Sequence, residues 1–153
     1  MFNYLFVALI VVAIFIYFYS KKYSIKIRNQ SGYLHSLPQY YGFYASLWFL
    51  IPSLIIICLY LVFAESFVTS TLIKSLPNDI KNLPVNELNL VVNDIKNLAV
   101  GNIANSSSFT GINEAASFYN KQYELIDKVV FYSSLIIGLL TFTYAYKTIS
   151  SSY

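Results

Sequence analysis

Three long stretches of this chain hold no Asp, Glu, Lys or Arg: Met1 to Ser20, Asn29 to Ala64, and Val129 to Tyr146. A water-facing surface needs charge at much shorter intervals. Over the whole chain charged residues make up 11%, where soluble domains carry roughly 25%. The apolar fraction of 57% is a weaker guide, because 15 Tyr are counted in it. The gaps exclude an ordinary soluble domain, a disordered tail and a nucleic-acid binder. They leave an integral membrane chain.

A bilayer core of about 30 Å needs about 20 apolar residues in a helix rising 1.5 Å per residue. Phe2–Tyr19 spans about 27 Å, Tyr44–Ala64 about 31 Å and Val129–Tyr146 about 27 Å by that rise. The sequence therefore predicts an all-α membrane protein with three transmembrane helices and a small helical periplasmic segment between the second and third. The boundaries fall at 1–20 for the first span, 21–43 for a cytoplasmic segment and 44–64 for the second span. Residues 65–128 form the periplasmic segment, 129–147 the third span and 148–153 a cytoplasmic tail. The first run does not read as a cleaved signal: Met1-Phe2-Asn3 is uncharged, Lys21 and Lys22 follow the apolar run, and no small-residue cleavage pattern precedes them. It reads as an uncleaved anchor.

The orientation comes from the cations. Residues 20–43 carry Lys21, Lys22, Lys26 and Arg28 with no acid, whereas 65–128 carry Lys74, Lys81, Lys96, Lys121 and Lys128 with all 7 acids. The dense, acid-free cluster marks the cytoplasmic side, with the N-terminus periplasmic and the C-terminus cytoplasmic. Tyr17, Tyr19 and Tyr23, Tyr40, Tyr41, Tyr44 and Trp48, and Tyr144 and Tyr146 all fall at that same end of the spans. Amphipathic rings prefer the headgroup level.

Two spans carry marks of helix–helix contact. Ser134, Gly138, Thr141 and Ala145 recur at i, i+4, i+7 and i+11, a small-residue stripe on which another helix can pack closely. Pro52 has no N–H to give the Trp48 carbonyl, so the second span kinks there unless a neighbour compensates. No ionisable residue lies in the interior of either span, which gives no ion relay or charged substrate path.

The residues offer little chemistry. Cys58 is the one thiol and lies in an apolar run, where packing is the expected role. His35 is the one imidazole, so neither a zinc site of ordinary ligand spacing nor a nucleophile–His arrangement is available. His35 precedes Pro38 without an acid nearby; bonding a carbonyl at the interface is its structural reading and sensing pH its functional one. No catalytic, cofactor or metal residue is expected, no cofactor, and no ligand-binding residue can be named.

Between the second and third spans, Asn78-Asp79-Ile80-Lys81-Asn82-Leu83 recurs fifteen residues on as Asn93-Asp94-Ile95-Lys96-Asn97-Leu98. Two copies are too few for a solenoid. Leu88, Val91, Ile95 and Leu98 share one helical face, with Asn93, Asp94 and Asn97 largely opposite. Asn86 fits an N-cap, Glu87 the first turn and Gly101 a C-terminal stop. Pro77 and Pro84 hold the first copy to a short helix or a turn. After a small, polar stretch over 102–111, helix is expected from about Asn113 without a break into the third span. Asn105-Ser106-Ser107 matches a glycosylation sequon, a short and common pattern. The segment is either a helical cap on the membrane face or a docking surface for a partner outside.

The stretch from Leu34 to Trp48, LHSLPQYYGFYASLW, resembles the cytoplasmic segment leading into the second span of PstC-type permeases, from the phosphate ABC transporters of Gram-negative bacteria. The stretch from Asn86 to Gly101 resembles a second block of the N-terminal extension that those permeases carry. The resemblance implies phosphate import across the inner membrane. It also implies, as partners, a second permease subunit, a pair of ATPase subunits and a periplasmic phosphate-binding protein, besides membrane lipid. ATP hydrolysis then belongs to the separate ATPase subunit, and this chain is not an enzyme. The permease core is expected after the third span, and the chain stops at Tyr153, so a fragment and a split form of the permease both stay open. The competing expectation is a stand-alone small membrane protein, an assembly or regulatory partner working through its outer helices.

Overall fold

In lipid every backbone N–H and C=O must be satisfied within the protein, which restricts a spanning segment to a helix or a closed barrel. The computed structural model describes residues 2–31, 36–102 and 110–151, and every regular element among them is a helix. These are α1 (Phe2–Ser31), α2 (Pro38–Ser75), α3 (Asn78–Lys81), α4 (Val85–Ala99) and α5 (Ile112–Ser151). Three of them, α1, α2 and α5, are long and apolar enough to cross a membrane. The all-α, three-span reading of the sequence is the observed one.

The long helices do not stop where their apolar runs stop. From Ser20 to Ser31 the chain holds neither Gly nor Pro, so α1 continues through its basic residues to Ser31. Apolarity fixes where lipid contact ends; chain breakers fix where the helix ends. Helix α2 runs 38 residues to a stop just before Pro77, whose ring disfavours helical backbone at the residue preceding it. Helix α5 runs 40 residues from Ile112, in accord with the expected unbroken helix.

The helices group into two units, Met1–Cys58 with Val129–Tyr153, and Leu59–Lys128. In the first, Leu5, Leu9, Ala13 and Ile16 of α1 form a core with Ala45, Phe49 and Ile57 of α2 and Ile149 of α5. The buried α1 positions continue through Ser20 and Ser24, a stripe of four-residue steps with one three-residue step between Ala13 and Ile16, which keeps them on one face of the helix. Ser46 Oγ donates to the Ala13 carbonyl at 3.0 Å, a direct bond between α2 and α1.

In the second unit Val68, Leu72 and Leu76 pack with Val91, Val92 and Ile95 of α4 and with Ala116 and Tyr119 of α5. Both prolines act as anticipated: α3 is a four-residue helix preceded by Pro77, and α4 is preceded by Pro84. Two local expectations are corrected. The N-cap of α4 is Pro84, not Asn86, and the Leu88 N–H bonds the Pro84 carbonyl at 2.9 Å. Asp94, expected on the polar face, is buried. Helix α4 packs against residues of both α2 and α5, so its buried sector is wider than the narrow stripe of a helix covered on one side. Gly101 ends α4 as expected, at φ +92°. Its N–H reaches Leu98 O at 3.0 Å and the Asn102 N–H reaches Asn97 O at 2.9 Å, the paired closure of a Schellman motif.

Candidate functional site at the meeting of α2 and α5

The small-residue stripe of α5 lies against α2. Ser134 and Ala145 are fully buried. A Cβ added at Gly138 would stand 2.6 Å from the Phe49 ring and 2.7 Å from Ser53 Oγ, closer than real side chains approach. Glycine is required here by proximity, not by backbone angle: the Phe49 ring and the Ser53 hydroxyl occupy the space that a side chain would fill.

Two hydroxyls cross this contact in opposite directions. Ser53 Oγ lies 3.0 Å from the Ser134 carbonyl of α5 and 2.8 Å from the Phe49 carbonyl one turn back on its own helix. Its one proton is shared between them. From the other side Thr141 Oγ1 donates to the Trp48 carbonyl of α2, and it also lies 3.0 Å from Ile137 O and 2.9 Å from Gly138 O. The Trp48 carbonyl is the acceptor that Pro52 leaves without a helical donor. A neighbour therefore supplies the missing bond, the compensation expected from the sequence as the alternative to a kink.

The rings expected at one end of the spans do come together in the first unit. Tyr23 and Tyr146 have centroids 4.6 Å apart, Trp48 and Tyr144 5.4 Å, and Tyr17 and Phe43 4.9 Å. Aromatic pairs at such distances are worth about 0.5–1.5 kcal/mol beyond their buried area. They tie all three long helices at that end.

The polar atoms of this contact are hydroxyls and carbonyls, which orient the two helices without taking up or releasing protons. Among the described residues no three His, Cys, Asp or Glu side chains come together to hold a metal ion. Cys58 is a free, exposed thiol, Arg28 is exposed, and His35 and the sequon at 105–107 lie outside the described residues. In the second unit the polar contacts are ion pairs and hydrogen bonds: Lys96 with Glu65 at 3.0 Å, Lys128 with Glu124 at 2.8 Å, and Tyr60 with Asp127. The hydrogen bond from Lys128 holds the Glu124 carboxyl below the usual carboxylate range.

Sequence reasoning missed Ser46 and Ser53. The signal was present: Gly42, Ser46 and Ser53 fall at i, i+4 and i+11, the spacing noted on α5, with Phe49 at i+7. The one large residue hides the pattern, yet Phe49 is what Gly138 accommodates.

Helices of membrane length that close on one another through glycine, serine and threonine define a polytopic α-helical membrane protein. Residues 5–134 match the family described as phosphate ATP-binding cassette transporter, and with the match running over most of the chain, the chain belongs to that family. It is the family whose segments the stretches at 34–48 and 86–101 resemble. No curated protein and no solved structure matches the chain.

Proposed function

We propose that this chain is the N-terminal membrane region of the permease subunit of a phosphate ABC transporter, and that it contributes to inorganic phosphate import across the bacterial inner membrane. The observation that carries the reading is the family match over 5–134 on a chain with three membrane-length helices. In this reading the chain is not itself catalytic, and a separate ATPase subunit hydrolyses ATP. The second permease subunit and the periplasmic phosphate-binding protein complete the assembly. Residues 21–43 and 148–153 face the cytoplasm, and the N-terminus and 65–128 face the periplasm. The α2–α5 contact is then a fixed brace that holds the helices in register for the subunits that carry phosphate.

The test is phosphate uptake in cells whose own copy of this region carries Gly138→Leu, with affinity purification of the tagged chain from the same membranes. Uptake at low external phosphate should fall, and the parent chain should bring the ATPase and the second permease subunit with it. Unchanged uptake from a variant shown to have lost the α2–α5 contact, with neither subunit co-purifying with the parent, would sink the reading. It would favour the stand-alone membrane protein.

A further inference from the structure

Helices α1 and α2 flank an open groove of 440 Å³ that reaches Ala13 of their shared core and is walled by Ile10, Ile14, Tyr17, Phe18, Phe43 and Leu47. Ser46 also reaches it, but its hydroxyl is given to the Ala13 carbonyl. The groove therefore has an apolar wall. Two rows of α1 line it. Ile14 and Phe18 lead at four-residue steps to Lys22, and Ile10 and Tyr17 lead at helical spacing to Lys21. Each row changes from apolar to cationic at the same level. Lys21 Nζ stands 6.0 Å from the centre of the ring of Tyr17, one of the groove residues, and Lys22 is exposed. No acid lies anywhere in residues 20–43 to neutralise either lysine.

We propose that this groove binds one phospholipid of net negative head group, its acyl chain against Ile10, Ile14 and Leu47 and its phosphate between Lys21 and Lys22. Both helices are of membrane length, so the medium around the groove is lipid, and the apolar wall matches a methylene chain. Lysines at the headgroup level lay their stems along apolar surface and keep the ammonium at the polar boundary, and there they attract anionic lipid. A zwitterionic lipid satisfies the wall equally, yet its ammonium group meets two lysines and no carboxylate. The preference therefore comes from charge and the placement from the groove. The inference concerns lipid alone and does not depend on the transport reading.

The experiment places the full chain in vesicles with the Leu47→Trp reporter in a Trp48→Phe background, which leaves a single indole on the groove wall. Quenching is compared for brominated-chain phosphatidylglycerol and brominated-chain phosphatidylcholine at the same mole fraction. We expect phosphatidylglycerol to be favoured at the groove by about five-fold or more, on the scale of one to two lysines at a membrane surface. Lys21→Gln with Lys22→Gln should bring the two lipids close to parity. Lys147→Gln, which removes a charge on α5 instead, should leave the preference in place. A second reporter, Phe43→Trp, repeats the measurement if Leu47→Trp does not fold. Equal quenching in the parent, a preference that survives the double lysine change, or the same loss from Lys147→Gln would each overturn the proposal. So would an indole that neither lipid quenches, since a protein helix would then cover the groove.

Discussion

The hydroxyl of Thr141 on α5 donates to the carbonyl of Trp48 on α2, the one backbone acceptor that Pro52 deprives of its helical donor. The helix with the broken ladder and the helix that repairs it are thus matched at a single position. Proline inside a spanning helix leaves a carbonyl without its helical donor, and here a neighbouring side chain restores the bond.

The pair predicts a coupled response. Thr141→Val keeps the shape and removes the donor, so it should cost about 1 kcal/mol, within the range measured for hydrogen bonds between membrane helices. Pro52→Ala returns an N–H to Trp48, and in that background Thr141→Val should be nearly silent. Reversible unfolding of the four variants in mixed detergent measures the cycle. Equal costs of Thr141→Val in both backgrounds would show that the hydroxyl does not serve the Trp48 carbonyl.

Gly138→Leu should be worse than the loss of one bond. The Cβ alone meets the Phe49 ring at 2.6 Å and Ser53 Oγ at 2.7 Å, and overpacking of this kind costs about 1–3 kcal/mol. Insertion into the membrane should persist, because apolarity rises. Leu139→Ile, at an exposed neighbour, should leave stability unchanged. A disulfide trap between Ser53→Cys and Ser134→Cys, in a Cys58→Ser background, reads the α2–α5 distance: it should close in the otherwise unchanged chain and fail with Gly138→Leu.

Much of this was legible from residue pattern. Charge gaps located the three long helices, because lipid permits little else, and the stripe on α5 showed the packed face. The identity of the partner was not legible. Small residues reveal that something approaches closely, but only the structure shows that Gly138 receives Phe49 of the same chain. How far α1 runs beyond its apolar stretch was not legible for a related reason. Hydropathy reports what surrounds a helix, whereas the continuation of α1 through its basic residues to Ser31 depends on the lack of Gly and Pro there. Asp94 was misplaced because its burial depends on α4 being covered by two helices, a tertiary fact that no single-helix periodicity contains.

Gly101 should resist replacement. Its φ of +92° is one that L side chains rarely adopt, and a left-handed conformation costs a non-glycine residue roughly 1–2 kcal/mol. Open space surrounds its missing Cβ, so the penalty is conformational, not steric. Gly101→Ala should speed amide exchange at Gly101's own position and at Asn102, the two N–H groups that close α4, with exchange in α1 unchanged.

The Glu124–Lys128 pair sets a small acid dependence. The carboxyl is held below its ordinary value by Lys128, so its contribution is present above the unfolded-state pKa and fades as pH falls through the lower, folded-state value. Both side chains are more than half exposed, and such pairs contribute little. Glu124→Gln should therefore lower stability slightly near neutrality and leave it unchanged below the folded-state pKa, so that the curve falls a little less steeply on the acid side. A large loss at neutral pH would mean that Glu124 has a structural role beyond this pair.

Topology is the prediction on which the proposed assembly rests. By the charge rule, the cations without acids at 20–43 should lie on the cytoplasmic side, while 65–128 carries all 7 acids of the chain. Asn29 and Asn89 are both exposed and lie in these two segments. In a Cys58→Ser background, Asn89→Cys should react with a membrane-impermeant maleimide in cells whose outer membrane has been opened. Asn29→Cys should react only after the inner membrane is breached. The segment of 65–128 is longer than the loops for which the charge rule is strongest, so the cations at 20–43 decide the orientation. Exchanging Lys21, Lys22, Lys26 and Arg28 for Gln should blur or invert the labelling pattern. If the four-fold variant labels as the parent does, a determinant other than these cations orients the chain. If the parent labels in reverse, residues 65–128 face the cytoplasm and cannot meet a periplasmic binding protein.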